Sequence, residues 1–150
     1  MLTETIEHLN LSPGKIIVDA TIGTGGHSKA ILEKILPGGR IIAIDRDQES
    51  LNICRQRLGD FSASCEFIHG NFLDLDTILE GLGIKELDGV LFDLGISSFQ
   101  LQDAQRGFSF SKEGPLDMRM DRSSNISAFD LVNNLNEQEI SNLLWNFGQE

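Results

Sequence analysis

Continuous apolar runs alternate with helically spaced apolar positions along the first two-thirds of the chain. Ile16-Ile17-Val18, Ile41-Ile42-Ala43-Ile44, Phe67-Ile68 and Val90-Leu91-Phe92 are unbroken rather than alternating. Short unbroken runs fit strands that are buried on both faces. Strands are expected over 15–20, 40–44, 65–69 and 89–92. Helices are expected between them, over 27–36, 48–58 and 76–82. Leu51, Cys54 and Leu58 share one face of the second of these. Leu2, Ile6 and Leu9 predict a short amphipathic helix in front, punctuated by Pro13-Gly14. Strands alternating with helices predict a parallel sheet of Rossmann-like α/β class, covered on both sides.

The pattern changes after Asp93. Residues 94–125 follow neither period and are rich in Gly, Ser, Asp and Arg. A loop of that length inside a domain is usually functional or disordered. Two helices close the chain, over 127–133 and from Asn136 onward. Asn136 and Glu139 are spaced as a capping box, and Ile140, Leu143, Leu144 and Phe147 are expected to face inward. The expected division is a core over 1–105 and a substrate loop with the start of a helical insertion over 106–150. A sheet that stops after four strands leaves strand four as an apolar edge. The chain is therefore expected to be part of a longer protein, or to associate through that edge with a partner or a second copy.

At 150 residues, one domain can bury a sizeable core. No apolar run approaches the ~20 residues that span a bilayer, so no membrane role is expected. Cys54 and Cys65 are isolated and lack metal-ligand company, which predicts free thiols in a cytoplasmic protein and no metal site. The net charge of −11 opposes nucleic-acid binding through the overall field. The charge is uneven, however. Residues 103–122 hold four acids and four bases, and the rest hold nineteen acids against eight bases. A phosphate backbone is least repelled along 103–122.

The stretch Val18-Asp19-Ala20-Thr21-Ile22-Gly23-Thr24-Gly25-Gly26-His27-Ser28 joins the first strand to the first helix of the sheet. Strand, glycine turn and helix bring backbone N–H groups close to a nucleotide-like ligand. A dinucleotide fingerprint needs glycine where Ser28 stands, so a nicotinamide cofactor fits poorly. Asp19 at the strand end repels a pyrophosphate but suits an amine or a sulfonium, and S-adenosylmethionine carries both. In an open parallel sheet, ligands bind at the carboxyl ends of the strands. Gly25 and Gly26 follow strand one, Asp45 strand two, Phe72 strand three and Asp93 strand four. Asp45 is placed to accept from ribose hydroxyls, with a helix cap as its structural alternative. Phe72 can stack on adenine or pack in the core. His27 can meet the carboxylate end of the cofactor. Asp93 can accept a hydrogen bond from an exocyclic amine and so free its lone pair to attack a methyl group. It can equally orient the methionine part of the cofactor.

Asp93-Leu-Gly-Ile-Ser-Ser-Phe-Gln-Leu, Arg106-Gly-Phe-Ser-Phe and Gly114-Pro-Leu-Asp-Met-Arg-Met-Asp121, with the 18–28 stretch, closely resemble the bacterial small-subunit ribosomal RNA cytosine-N4 methyltransferase family, RsmH or MraW. The resemblance implies a class I S-adenosylmethionine-dependent methyltransferase acting on a decoding-site cytidine of 16S rRNA in the small ribosomal subunit. It places cofactor contacts on Gly25, Gly26, His27, Asp45, Phe72, Asp93 and Gln100, and Gln100 comes from the resemblance alone. Asp93 is the expected catalytic residue. Family members run well beyond this length, so the alternative is a non-catalytic remnant that binds the cofactor weakly or associates through its open edge. In the loop, Arg106, Arg119 and Arg122 are candidate phosphate contacts. Phe108 and Phe110 can stack on an extruded base. The competing reading packs both rings, with Met118 and Met120, onto the domain, and pairs Asp117 with an arginine.

Overall fold

The computed structural model describes residues 2–148. Four strands, β1 (Ile16–Asp19), β2 (Arg40–Asp45), β3 (Cys65–His69) and β4 (Gly89–Leu91), form a parallel sheet in the order β3-β2-β1-β4. Helix α1 (Leu2–His8) precedes the sheet. The crossovers carry α2 (Gly26–Ile35), α3 (Gln48–Leu58) and α4 (Leu75–Gly81). The strand order reverses at β1, whose neighbours β2 and β4 are reached by chains leaving in opposite directions.

The continuous apolar runs split by parity into two cores. Ile17, Ile41 and Ala43 pack with Ile31, Leu32 and Ile35 of α2 and with Leu51, Cys54 and Leu58 of α3, and Ile6 of α1 and Leu9 just after it border them. Val18, Ile42 and Ile44 point the other way, against Leu75, Ile78 and Leu79 of α4. Side chains alternate along a strand, so each run needs apolar residues at every position.

Parity also places the polar ends. Ile17 pairs with Ile41 and Gly89, and Asp19 pairs with Ala43 and Leu91. Asp19, Asp45 and Asp93 thus follow the phase of the α2–α3 face. Asp19 is buried under the first turn of α2, where the Ser28 hydroxyl donates to it at 2.6 Å and the Thr21 N–H at 3.3 Å. Burial pushes its carboxyl up to about 6, against the pull of those hydrogen bonds. Asp47 takes the cap of α3, accepting from the Glu49 and Ser50 N–H groups. Cys54 and Cys65 are free thiols, and burial pushes both up to about 12.

Chain contacts divide the protein into two compact units, residues 1–97 and 98–150. The second unit is less regular. Helix α5 (Ser98–Gln102) lies inside the stretch that showed no period, because one turn is too short to register as one. Ser127 and Asn136 cap α6 (Ala128–Asn134) and α7 (Glu137–Leu143) with complete capping boxes, the second as its spacing predicts. A π turn, Leu144–Gly148, follows. The expected inward face of the last helix is not inward. Leu144 is 52% and Phe147 83% exposed, and Leu143 is also at the surface. A cavity of about 400 Å³ between α6 and α7, lined by Leu131, Leu135 and Leu143 among others, shows that two short helices do not close over each other. Among the described residues, no helix is long and apolar enough to cross a membrane.

Gly25 is fixed by its backbone and by its neighbours. Its φ is +82°, and a Cβ there would stand 2.6 Å from Cys54 Sγ. Gly25→Ala is expected to destabilise the chain by about 1–3 kcal/mol in urea unfolding, from overpacking and the left-handed backbone. Removing the opposing sulfur with Cys54→Ala relieves part of that, so the double variant should lose less than the sum of the singles; strict additivity would remove the contact as the cause. Asp19 makes a second test. Its folded-state affinity for a proton exceeds the unfolded one, so its ionisation costs stability as pH rises from about 4 through about 6. Between pH 4.5 and 7.5 the stability of Asp19→Asn relative to the parent should rise by about 2 kcal/mol. A constant difference across that range would show that burial does not raise the proton affinity of Asp19.

Candidate functional site

The carboxyl ends of the strands gather on one rim of the first unit. The turn from β1 to α2 runs through Gly23 and Gly25, both with positive φ. Gly25 is the N-cap of α2 and supplies no side-chain cap. The helix N-terminus therefore presents backbone N–H groups and a partial positive charge at the rim. A Cβ on Gly26 would meet nothing within 4 Å, so this backbone is open on its outer side. That is the cradle a ligand would fill.

Asp45 closes the next side. Its Oδ2 accepts from the Gly23 N–H at 2.8 Å and its Oδ1 from the Asp47 N–H at 2.9 Å. The two bonds lock the carboxylate at the glycine turn while each oxygen keeps a lone pair free of them. Burial raises its proton affinity, with the backbone N–H bonds acting the other way. Asp45 is not the cap of α3, because Asp47 fills that position.

His27 and Asp93 meet across the sheet's point of reversal. His27 Nδ1 lies 3.4 Å from Asp93 Oδ2, with the Asp93 side chain 53% exposed. The Asp93 N–H donates to Thr21 Oγ1 at 2.7 Å. Phe72 begins a short 3₁₀ turn after β3, with Asn71 accepting from the Leu73 N–H. Its ring meets Phe92 edge-on, centroids 5.5 Å apart. It also packs against the α4 core, so packing accounts for part of its surface. The expected positions at the four strand ends are thus joined by three contacts, Asp45 with Gly23, His27 with Asp93, and Phe72 with Phe92, which precedes Asp93. His69 is structural, its Nε2 bonding the Arg46 carbonyl at 3.0 Å. Gln100 lies in α5 of the second unit and is buried.

Two expectations for the loop are corrected. Arg106 is 1% exposed and donates to the Arg119 and Met120 carbonyls, so it holds the loop together and cannot reach a phosphate. Arg119 is committed as well. It grips Asp117 with two bonds of 2.8 and 2.7 Å and donates to the Ser124 carbonyl at 2.7 Å. That fork holds the Asp117 carboxyl down to about 2. Phe110 does not pack onto the protein; it is fully exposed.

Two residues of this rim escaped the sequence reading. Thr21 accepts from a backbone N–H 72 positions away. Arg57 donates to Thr24 Oγ1 at 3.1 Å and ties the glycine turn to α3. Nothing local marks either; their partners are neighbours only once the sheet has formed. Among the described residues no cluster could hold a metal ion.

The whole chain, residues 1–150, matches the MraW methylase family. The ribosomal RNA small subunit methyltransferase H of Clostridium botulinum strain 657 is 45% identical over 150 residues, which is all of this chain and 48% of that protein. That of Dictyoglomus thermophilum is 46% identical over 151 residues and 51% of its length. The chain spans about half the length of these curated relatives. Among solved structures, an rRNA methylase from Streptococcus thermophilus superposes with a TM-score of 0.52 at 24% identity, covering 61% of this chain and 53% of that one. A Streptococcus mutans protein solved in complex with SAH gives 0.55 at 17% identity, covering 65% and 53%. These likenesses agree with the Rossmann-like fold of the first unit. Sequence match, strand order and glycine turn together place this chain in the MraW methylase family.

Proposed function

We propose that this chain forms the S-adenosylmethionine-binding portion of a methyltransferase that modifies the N4 amine of a decoding-site cytidine in 16S rRNA of the small ribosomal subunit. The observation that carries the reading is the rim itself. An open glycine turn, a locked Asp45 and an exposed Asp93 stand at neighbouring strand ends, where open parallel sheets bind ligands. The cofactor supplies a methyl group already activated by its sulfonium. Asp45 accepts from the ribose hydroxyls. Gly25 and Gly26 let the backbone approach closely, and His27 with the first turn of α2 receives a carboxylate. Phe72 offers ring surface to adenine. Gln100 is a further cofactor contact on this reading, supported by its match to the family motif.

Asp93 is the catalytic candidate. An exocyclic amine is a poor nucleophile because its lone pair is shared with the ring. A carboxylate that accepts the amine hydrogen returns electron density to the nitrogen. The exposure of Asp93 leaves it reachable by a base that has left its stack. In the second unit, Phe110 presents a ring for stacking, and residues 103–122 carry no net charge to repel phosphate. The cytoplasm, where ribosomes assemble and thiols stay reduced, is the fitting location. Calorimetry should show S-adenosylmethionine binding and no NAD binding. Asp45→Ala is expected to weaken the former by about 1–3 kcal/mol, the loss of charge-assisted hydrogen bonds. A methylation assay on small subunits, with this chain beside a full-length relative, tests the reaction. Asp93→Ala introduced into the active form should lose turnover as well as affinity. Full activity in that variant, or NAD binding in place of S-adenosylmethionine, would overturn the reading.

A second reading is favoured by the β4 edge. Val90, Phe92, Leu94 and Ile96 are exposed along and beyond that strand, and a cavity of about 580 Å³ opens between α1 and Leu91. On this reading the chain binds cofactor without turnover and self-associates through the edge. Sedimentation velocity should then show a dimer that Val90→Lys converts to monomer; a monomer at every concentration removes this reading.

A further inference from the structure

Asp93 stands beyond the last rung of an edge strand. The final backbone bond between β1 and β4 runs from the Ala20 N–H to the Leu91 carbonyl, at 2.9 Å. Past it the two chains part, β1 into the glycine turn and β4 into an irregular segment. Among the described residues no strand flanks β4 on its other side. Register therefore sets the side on which Asp93 emerges, but no main-chain rung beyond Leu91 holds it, although its carboxylate must be held within a fraction of an ångström to do chemistry.

The β1–α2 turn supplies the missing hold at two points. His27 faces the carboxylate, 3.4 Å from Oδ2. Thr21 takes the backbone, its hydroxyl accepting the Asp93 N–H at 2.7 Å. In a continuing parallel ladder that N–H would go to a main-chain carbonyl. Here a side-chain oxygen spans the gap where the strands diverge. Thr21 is well suited to the task. Its own N–H is anchored on the buried carboxylate of Asp19, and branching at Cβ restricts its rotamer. A rigid hydroxyl at the opening of the crevice thus sets the residue that closes it.

We propose that Thr21 is a positioning residue for Asp93: its hydroxyl extends the β1–β4 ladder by one rung and aims the Asp93 carboxylate into the rim. The inference rests on the reading of Asp93 given above. Thr21 itself touches neither cofactor nor amine in this role; it acts through the backbone of Asp93.

Two Thr21 variants, with Asp93→Ala as background, test it. Thr21→Val keeps the shape and the branching but removes the acceptor; Thr21→Ser keeps the acceptor. The first readout needs no ligand. The Asp93 amide should exchange slowly with solvent in the parent and in Thr21→Ser, and several-fold faster in Thr21→Val. The second is the affinity for S-adenosylmethionine. It should fall by about 3- to 10-fold in Thr21→Val, the range of one lost hydrogen bond, and recover in Thr21→Ser. In an Asp93→Ala background, Thr21→Val should cost nothing further, because nothing remains to be aimed. A general loss of stability would instead add to the effect of Asp93→Ala. Equal amide exchange in parent and Thr21→Val, or additive losses, would overturn the inference. An Asp93→Ala variant that weakens binding while Thr21→Val does not overturns this inference alone. Unchanged affinity in Asp93→Ala, or no binding by the parent, overturns the reading of Asp93 and the positioning role with it.

Discussion

The register of β1 against its two neighbours is the constraint from which the rim follows. Parallel pairing sets Asp19 beside Ala43 and Leu91, and a period of two then carries Asp19, Asp45 and Asp93 in one phase. All three follow the α2–α3 side, where the glycine turn and the N-terminus of α2 arrive. A shift of one residue in either pairing would send the carboxylates to the α4 side and the apolar residues out of their cores. The packing of Ile17, Ile41 and Ala43 against α2 and α3 therefore also aligns the acidic ends.

The three carboxylates share a phase but not an environment. Asp19 is buried, and its raised proton affinity marks the cost of that burial. It organises the turn by holding Ser28 and Thr21. Asp45 is partly buried and held by two N–H groups, which suits a fixed acceptor. Asp93 is half exposed and held from outside its own strand. Asp19 and Asp45 end the two interior strands and are the more buried, whereas Asp93 follows the edge strand β4 and is the most exposed of the three.

The second unit solves a different problem. It has little regular structure, so side chains do what ladders do elsewhere. Arg106 bonds two carbonyls of the loop, and the Asp117–Arg119 fork closes a turn around it. Arginine has five donors in a planar fork, which is why it can satisfy irregular backbone from within. The same commitment buries Arg106 and spends the Arg119 guanidinium on Asp117 and the Ser124 carbonyl. Charge in the sequence was therefore a poor guide to charge at the surface here.

What the sequence by itself determined was whatever depends on neighbours along the chain. Unbroken apolar runs such as Ile41–Ile44 specify buried parallel strands, and Asn136 with Glu139 specifies a helix start, because these signals lie within a few residues of one another. The family motifs were legible for the same reason. Tertiary structure decided the rest. Only folding shows that Arg106 is buried, that Phe110 and Phe147 are not, and that Thr21 reaches Asp93. Each depends on a partner whose distance in space bears no fixed relation to its distance in sequence, and on how much of a face its neighbours cover.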